Sequence, residues 1–300
     1  TGRLTKLRAS INERGLIEAL DYDQIDDVGA YPRAPEPASL YRMHGNLSGA
    51  YKVKNIRCRN RVVLTNKTPS GLNRGFGGPQ HYFALERLVH QIAVELDLNV
   101  LDVIKVNLLE KKQFPYKSPS GALLDSGDFQ KLVRKVVKSS TYKNILKKKN
   151  NAIKNGKIYG IGYSAIIEPS ISNMGYVTTA LPYKDREKTG HKGGALASTS
   201  VSIGPTGSVY VTCDSLPQGQ GHKTILSQIV ADVFGIKIND VFVNTTHDTH
   251  KDAWSIAAGN YSSRFAGAVA GSAFNAANNL KKKLQKIAAS QLNCKSENVL

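Results

Sequence analysis

Two glycine-rich segments, each followed directly by an amphipathic stretch, constrain the fold of this chain more than any other feature. The first glycine loop is residues 73–80, Asn-Arg-Gly-Phe-Gly-Gly-Pro-Gln. The second glycine loop is residues 217–222, Pro-Gln-Gly-Gln-Gly-His. Apolar residues recur at helical spacing after each loop, over residues 83–96 and 223–234, so each loop is predicted to lead into a helix.

The order of the predicted elements occurs twice. A strand is expected after each helix, at residues 103–109 and 240–244. Residues 91–107 align without a gap with residues 228–244, which favours an internal βα repeat. The alternative is that any two βα units resemble each other. Either origin predicts an α/β fold with mixed sheets.

The rest of the chain divides into three predicted regions. Residues 1–122 are assigned to a first domain, 123–157 to a helical linker, and 158–300 to a second domain. The linker helix is expected to begin at Asp125 or Ser126, whose side chains suit a helix N-cap. Further strands are expected at residues 4–11, 61–64 and 163–167, with a hairpin formed by residues 198–203 and 208–212.

The composition is that of a globular protein, with 41% hydrophobic and 21% charged residues. No apolar run approaches the ~20 residues that cross a bilayer, so no membrane association is expected. Cys58, Cys213 and Cys294 are far apart and lack CxxC spacing, which argues against a disulfide framework and against thiolate-held metal. A reducing cytoplasm is therefore expected, and a redox cofactor would be held by other groups.

The formal net charge of +18 raises the possibility of a nucleic-acid partner. Much of the excess lies in two lysine runs, residues 147–149 and 281–283. Neither run has interleaved aromatic residues on which bases could stack. These runs are interpreted as solvated helix faces or as docking surfaces for an acidic partner, and no nucleic acid is expected.

The second glycine loop suits an anion or a polar ligand, because a helix start offers free amides and a positive dipole end. It matches neither the dinucleotide fingerprint nor the phosphate loop of nucleotide hydrolases. Gln218 and Gln220 carry both donors and acceptors, which suggests a neutral ligand. The alternative is a tight turn before a helix.

A third feature is Gly-Asn-Tyr-Ser-Ser-Arg at residues 259–264, followed by many small residues. Ser262 or Ser263 could cap the next helix, and the Arg264 guanidinium could bind a phosphate. Residues 266–273 are interpreted as a tightly packed core helix.

Taken together, these motifs carry a resemblance. Residues 74–80, 218–222, 247–249 and 259–264 follow the order and spacing of the xanthine dehydrogenase and aldehyde oxidase family, and residues 124–128 resemble the link between its two molybdenum-binding domains. The resemblance covers nearly the whole chain. It implies a molybdenum ion held by the dithiolene of a pterin, whose sulfur atoms replace protein thiolates.

The resemblance also implies roles for particular residues. The pterin and its phosphate would be bound by Gln218, Gly219, Gln220, Gly221 and His222. The phosphate or an attached cytosine nucleotide would be held by Tyr261, Ser262, Ser263 and Arg264, with Asp248 and Thr249 nearby. Arg74 and Gly75 would lie over the metal's ligands, and Phe76 and Gly77 are implied to be further cofactor-binding residues.

Two residues are candidates for the substrate pocket. Phe76 matches the family's aromatic residue that packs on a flat or carbonyl-bearing substrate, and the alternative is a buried loop anchor. Arg42 lies near a substrate-orienting arginine of the xanthine-specific members. Gly75 stands where the carbon-monoxide-oxidising members place a copper-binding cysteine, which predicts that no copper site forms here.

The catalytic glutamate of the family is expected beyond Leu300, so no catalytic residue is assigned in this sequence. Glu168 is interpreted as structural. The implied reaction is hydroxylation of an aldehyde or an N-heteroaromatic with water's oxygen. Iron–sulfur clusters and FAD are expected on partner subunits or domains, and another chain or segment would supply the missing catalytic half. The alternative is a cofactor-binding fragment without turnover of its own.

Overall fold

Each half of the chain is built on a three-stranded sheet whose strands follow their order in the sequence. The computed structural model describes residues 2–33, 43–71, 73–168, 183–186, 197–245, 260 and 263–299. It divides into unit 1, Thr1–Glu168, and unit 2, Pro169–Leu300. Both sheets combine an antiparallel pair with a parallel pair, so the predicted mixed α/β class is confirmed.

Unit 1 consists of five strands and four α-helices within its described residues. The strands are β1 (Arg3–Ile11), β2 (Ile17–Asp27), β3 (Asn55–Val63), β4 (Tyr116–Lys117) and β5 (Leu123–Leu124). The helices are α1 (Gly78–Glu95), α2 (Val100–Asn107), α3 (Phe129–Lys138) and α4 (Ser140–Lys154). Strand β2 is central, antiparallel to β1 and parallel to β3.

Unit 2 places a helix between its two parallel strands. Its elements are α5 (Tyr183–Arg186), β6 (Thr199–Ile203), β7 (Val209–Cys213), α6 (His222–Phe234), β8 (Val241–Asn244) and α7 (Ala270–Gln291). A π-helical turn at Phe265–Val269 leads into α7. The predicted hairpin, the helix after the second glycine loop and the strand after it are all confirmed, although the last strand starts at Val241.

Helix α1 supplies much of the unit 1 core. Leu85, Val89 and Ile92 are buried at helical spacing, and burying each such side chain stabilises the fold by about 1.5–3 kcal/mol. Phe83 and Val94, predicted on the same apolar face, are instead 73% and 72% exposed. The predicted helix is therefore confirmed, but fewer of its apolar residues are buried than the pattern indicated.

The predicted strand at residues 103–109 is wrong, because most of this segment belongs to helix α2. The Asn99 side chain accepts a hydrogen bond from the Leu101 amide and caps the helix. Val103, Ile104 and Asn107 are buried on one helical face. The β-branched residues that suggested a strand lie here in a helix that packs on the core, since tertiary packing overrides local propensity. The two copies of the proposed repeat therefore differ at this element.

The predicted strand at residues 163–167 is also wrong, since the segment has no strand partner among the described residues. Its alternating half-buried and exposed residues are those of an extended chain. Side chains of α1 satisfy its backbone instead. Glu86 accepts a hydrogen bond from the Ala165 amide at 3.1 Å, and His90 donates to the Tyr163 carbonyl at 2.8 Å.

The predicted helical linker contains the two helices α3 and α4, but its N-cap is neither Asp125 nor Ser126. Asp128 caps α3 by accepting a hydrogen bond from the Lys131 amide at 2.9 Å. The prediction missed it because three candidate cap residues lie within four positions. Both helices belong to unit 1, and the predicted domain boundaries stay a prediction.

Unit 2 has a smaller core, formed where α6 and α7 pack on the sheet. Its buried residues include Val211, Leu226, Val230, Val269 and Ala273. Val269 and Ala273 are fully buried, but Ala266, Gly267 and Gly271 are exposed, so the predicted core helix at residues 266–273 packs along one face only. No helix within the described ranges is long and apolar enough to span a bilayer.

Candidate functional site

The second glycine loop presents an open backbone at the start of α6. Gly219 and Gly221 have positive φ angles of 93° and 77°, which L side chains rarely adopt. A Cβ atom added at either glycine would meet no described atom within 4 Å. The two glycines therefore permit the turn and leave the backbone accessible to a ligand.

Several amides at the start of α6 have no acceptor within the helix. The first described backbone bond of this turn is donated by Ile225 to the Gly221 carbonyl, at 3.1 Å. The helix has no side-chain cap, and its first turn carries no acidic residue. Gln220 folds back so that its Oε1 accepts from the Gln218 amide. This helix start is suited to an acceptor group of a ligand.

His222 is the most enclosed side chain of the loop, at 1% exposure. Its ring stacks on Phe265 with 3.8 Å between centroids, and Nδ1 lies 3.4 Å from Ser215 Oγ. Nε2 is buried and has no hydrogen-bond partner among the described residues. Burial, with a smaller contribution from Arg264, lowers the pKa of His222, so its imidazole is neutral at pH 7.

Arg264 lies beneath the loop in a buried ion pair with Asp214. Both side chains are 1% exposed, and Nη2 of Arg264 lies 3.1 Å from Asp214 Oδ1. The same nitrogen donates to the Asp214 carbonyl at 2.6 Å, and Asp214 Oδ2 accepts from the Ser198 amide at 3.0 Å. These contacts fix the chain around the site, and a phosphate contact for Arg264 stays a prediction.

The structure thus brings part of the predicted site together. Asp214 and Ser215 are adjacent in sequence and link Arg264 to His222. Ser263 is exposed with a φ of 54°, and the following helical turn has no side-chain cap, so the proposed cap at Ser263 is wrong. The other predicted residues lie outside the described residues: Arg42, Asp248, Thr249, Tyr261 and Ser262.

The first glycine loop occupies an equivalent position before α1. Gly77 precedes the helix with a φ of 79°, and Gly75 also has a positive φ of 73°. Arg74 is exposed, whereas Phe76 is half-buried. This half-burial fits both the substrate-packing and the loop-anchor interpretation of Phe76.

Sequence reasoning missed the buried Glu86 of α1. Its carboxylate accepts hydrogen bonds from the Tyr51 hydroxyl at 3.0 Å and the Ala165 amide at 3.1 Å. Burial raises the pKa of Glu86 to about 7. It lines a cavity of about 720 Å³ within unit 1, together with Gly75, Pro79 and the extended segment 160–168. The sequence did carry a signal for this residue, because Glu86 falls at helical spacing with the buried Tyr82, Val89 and Ala93.

Asp214 was missed as well, although it directly follows a strand and precedes the second glycine loop. The signal was its position at the carboxyl end of β7, where functional side chains often lie. Within the described residues no group of three His, Cys, Asp or Glu side chains could hold a metal ion.

The described residues fit a pterin better than a bare anion. A pterin presents both donors and acceptors on its edge, and the neutral His222 ring has an unpaired buried Nε2 beside an open glycine backbone. The nearby Arg264 charge is compensated by Asp214. A neutral heterocycle can therefore bind without leaving a charge uncompensated in the site.

Two family models match this chain, and both are described as molybdopterin cofactor-binding domains. One matches residues 1–108 and the other residues 135–300. Together they cover most of the chain, and each contains one of the two glycine loops.

Curated relatives include the nicotine 6-hydroxylase large subunit of Paenarthrobacter nicotinovorans, which is 26% identical over 98% of this chain and 35% of its own length. The carbon monoxide dehydrogenase large chain of Afipia carboxidovorans is 29% identical over 93% of this chain and 34% of its own. The chain spans about a third of the length of these relatives.

Among solved structures, quinoline 2-oxidoreductase from Pseudomonas putida 86 matches with a TM-score of 0.82 and 26% identity, covering 100% of this chain and 37% of that one. The Cu,Mo-CO dehydrogenase matches with a TM-score of 0.75 and 25% identity, covering 99% and 37%. Both proteins therefore share the fold of this chain. The chain therefore belongs to the molybdopterin cofactor-binding domains of the xanthine dehydrogenase and aldehyde oxidase family.

Proposed function

We propose that this chain is the central, cofactor-binding portion of a molybdenum hydroxylase that oxidises an aldehyde or an N-heteroaromatic with water as the oxygen source. The observation that carries this proposal is the unpaired, buried Nε2 of His222 beside the open Gly219–Gly221 backbone. When bound, the molybdenum–pterin cofactor would supply the redox chemistry of the reaction.

The residues of this chain would bind and orient the pterin. The neutral His222 ring and the amides of the first turn of α6 would form its hydrogen bonds, while Phe265 keeps the ring of His222 in place. Tyr261, Ser262, Ser263 and Arg264, with Asp248 and Thr249, would hold the phosphate or a cytosine nucleotide. Arg74 and Gly75 would lie over the metal's ligands, Gly77 would bind the cofactor, and Phe76 and Arg42 would line the substrate pocket.

The whole enzyme would need further polypeptide. We place the catalytic glutamate in another segment or chain, and the iron–sulfur clusters and FAD on partner subunits or domains. The glycine at position 75 argues against a copper-bound carbon monoxide site. The cysteines at positions 58, 213 and 294 form no disulfide among the described residues, which suits a reducing cytoplasm.

The direct test is metal analysis and native mass spectrometry of the complex purified from its source. We expect molybdenum, an extractable pterin and additional chains that carry iron. A molybdenum-free chain that runs alone would refute the hydroxylase proposal.

A paired substitution tests the role of His222. His222→Phe keeps an aromatic ring against Phe265 but removes Nε2, so we expect the molybdenum and pterin content to fall by about tenfold or more. His81→Phe is the matched control, because His81 is also buried with an unpaired Nε2 among the described residues but belongs to none of the proposed cofactor contacts.

His222→Gln, which keeps a donor at a similar reach, should recover part of the cofactor. Far-UV circular dichroism reports whether each variant is folded. Equal cofactor loss in both Phe variants would show that His222 has no specific role.

A further inference from the structure

The strongest unexplained feature outside the cofactor site is the charge of α3 and α4, residues 129–154, which we call the basic helical pair. It contains nine Lys and Arg residues and no Asp or Glu: Lys131, Arg134, Lys135, Lys138, Lys143, Lys147, Lys148, Lys149 and Lys154. Half of the net charge of +18 therefore lies in these 26 residues, which play no part in the proposed cofactor contacts.

This charge works against the stability of the isolated helices. Like charges four residues apart on a helix repel, and such pairs recur at Lys131 with Lys135, Arg134 with Lys138, and Lys143 with Lys147. Among the described residues, one ion pair reaches the basic helical pair, between Arg134 and Asp128 at 3.9 Å. An external source of negative charge would relieve this repulsion.

One side of the basic helical pair is fixed to unit 1. Phe129 and Val133 pack against the core, and the Gln130 side chain donates to the Lys105 carbonyl at 2.7 Å. The Tyr142 hydroxyl lies 3.1 Å from that of Tyr163. These contacts hold the two helices at a defined position on the unit.

The other side of α3 exposes two aliphatic side chains one helical turn apart. The side chain of Leu132 is 62% exposed and that of Val136 is 52% exposed, so neither contributes to the core of unit 1. Exposed lysines at positions 131, 135 and 138 flank them along the helix. A small apolar centre with a charged rim is the arrangement of a protein–protein interface.

Other polyanions fit this surface less well. Single-stranded nucleic acid is bound by exposed aromatic rings beside the cations, but the aromatic residues of the pair, Phe129 and Tyr142, are half-buried in the contacts above. Insertion into a bilayer surface needs a broad apolar face, whereas Leu132 and Val136 form a narrow one.

We propose that the basic helical pair is the docking surface for an acidic protein surface on a companion chain of the same complex. Leu132 and Val136 would make the apolar contact, and the surrounding lysines would pair with carboxylates of the partner. The inference rests on the proposed function only in assuming that companion chains exist.

Site-specific cross-linking tests the proposal in the full complex. A photoreactive benzoylphenylalanine placed at Leu132 should cross-link to a companion chain, at a segment rich in Asp and Glu that mass spectrometry can identify. In the charge-reversal variant Lys131→Glu, Lys135→Glu and Lys138→Glu, we expect the cross-link yield and the affinity of that chain to fall by about tenfold or more.

The matched control reverses three exposed lysines of α7, Lys282→Glu, Lys283→Glu and Lys286→Glu, and should leave the cross-link unchanged. A cross-link absent from every companion chain, or one to a segment without excess carboxylates, would overturn the proposal. So would purification of the chain without any companion.

Two further probes address the other classes of polyanion. A short DNA duplex and vesicles of phosphatidylcholine with phosphatidylglycerol are tested for binding to the same proteins. Binding of either probe that is stronger than that of the companion chain, and that is lost in the charge-reversal variant, would also overturn the proposal. Molybdenum content is measured in parallel, because a molybdenum-free complex that still cross-links would refute the proposed function and leave this inference standing.

Discussion

The two units each bury a carboxylate, but they compensate its charge in different ways. In unit 1, Glu86 is 7% exposed and accepts hydrogen bonds from the Tyr51 hydroxyl and the Ala165 amide. In unit 2, Asp214 is 1% exposed and forms an ion pair with Arg264. One carboxylate is therefore bound by neutral donors and the other by a full positive charge.

This difference predicts two different sensitivities for the two buried carboxylates. Without a cation among its described partners, Glu86 has its pKa raised to about 7 by burial, so it changes charge near neutral pH. Asp214 is matched by a guanidinium that would itself be left buried and charged if the carboxylate were removed. Unit 1 should consequently respond to pH at this position, and unit 2 should respond to the loss of either partner.

The largest effect is expected for Asp214→Ala, which leaves Arg264 buried without its counter-charge. We expect unit 2 to lose about 3–5 kcal/mol of stability. Hydrogen exchange of peptides from β7 and α6 measures this loss locally. The double variant Asp214→Leu with Arg264→Met should be far less destabilised, because neither charge remains. Equal losses in the single and double variants would show that the ion pair is not the cause.

A smaller effect, which depends on pH, is expected at Glu86. Its pKa is raised from 4.5 to about 7 in the folded chain, so folding favours the protonated form. The resulting stabilisation is complete below about pH 4.5 and is lost as the pH rises towards 7, by roughly 3 kcal/mol in total. Denaturant unfolding across this range should show the decline for the natural chain.

Glu86→Gln removes the titrating group while keeping an acceptor for the Ala165 amide. In this variant the free energy of unfolding should decline less between pH 4.5 and 7, by the roughly 3 kcal/mol attributed to Glu86. If the natural chain and the variant show the same dependence of stability on pH, then Glu86 does not cause the decline.

The smallest effect is expected at Asp21 on β2, a half-buried carboxylate whose two arginine partners are exposed. Hydrogen bonds from Arg57 and Arg8 hold its pKa well below its usual range. Solvent and salt screen such pairs, so Arg8→Ala should leave the free energy of unfolding unchanged within the error of a denaturant titration. A clear loss that disappears at high salt would show that exposed pairs contribute more here than the comparison assumes.

Local patterns predicted much of this fold correctly. The hairpin of β6 and β7 and both helices that follow the glycine loops depend on neighbouring residues, so the sequence pattern identified them. Residues 103–109 were assigned wrongly because their β-branched side chains also fit a helix packed on a core. Residues 163–167 were assigned wrongly because an extended segment becomes a strand only when another strand lies beside it.

The candidate site was likewise predictable only in its local parts. The second glycine loop and His222 could be identified from spacing and resemblance. The ion pair beneath them could not, because Asp214 and Arg264 are 50 residues apart. Likewise, Tyr51 and Ala165 are 35 and 79 residues from Glu86. Only the folded chain shows which polar groups share a buried space.

The extended segment 160–168 has a consequence for how this family can diverge. Tyr82, Glu86 and His90, spaced one helical turn apart on α1, all bond to backbone atoms of that segment. Backbone atoms are the same whatever the side chain, so mutations can accumulate in the segment while its path is preserved. Among homologues, we therefore expect purifying selection at the three helix positions and neutral drift along much of the segment they hold.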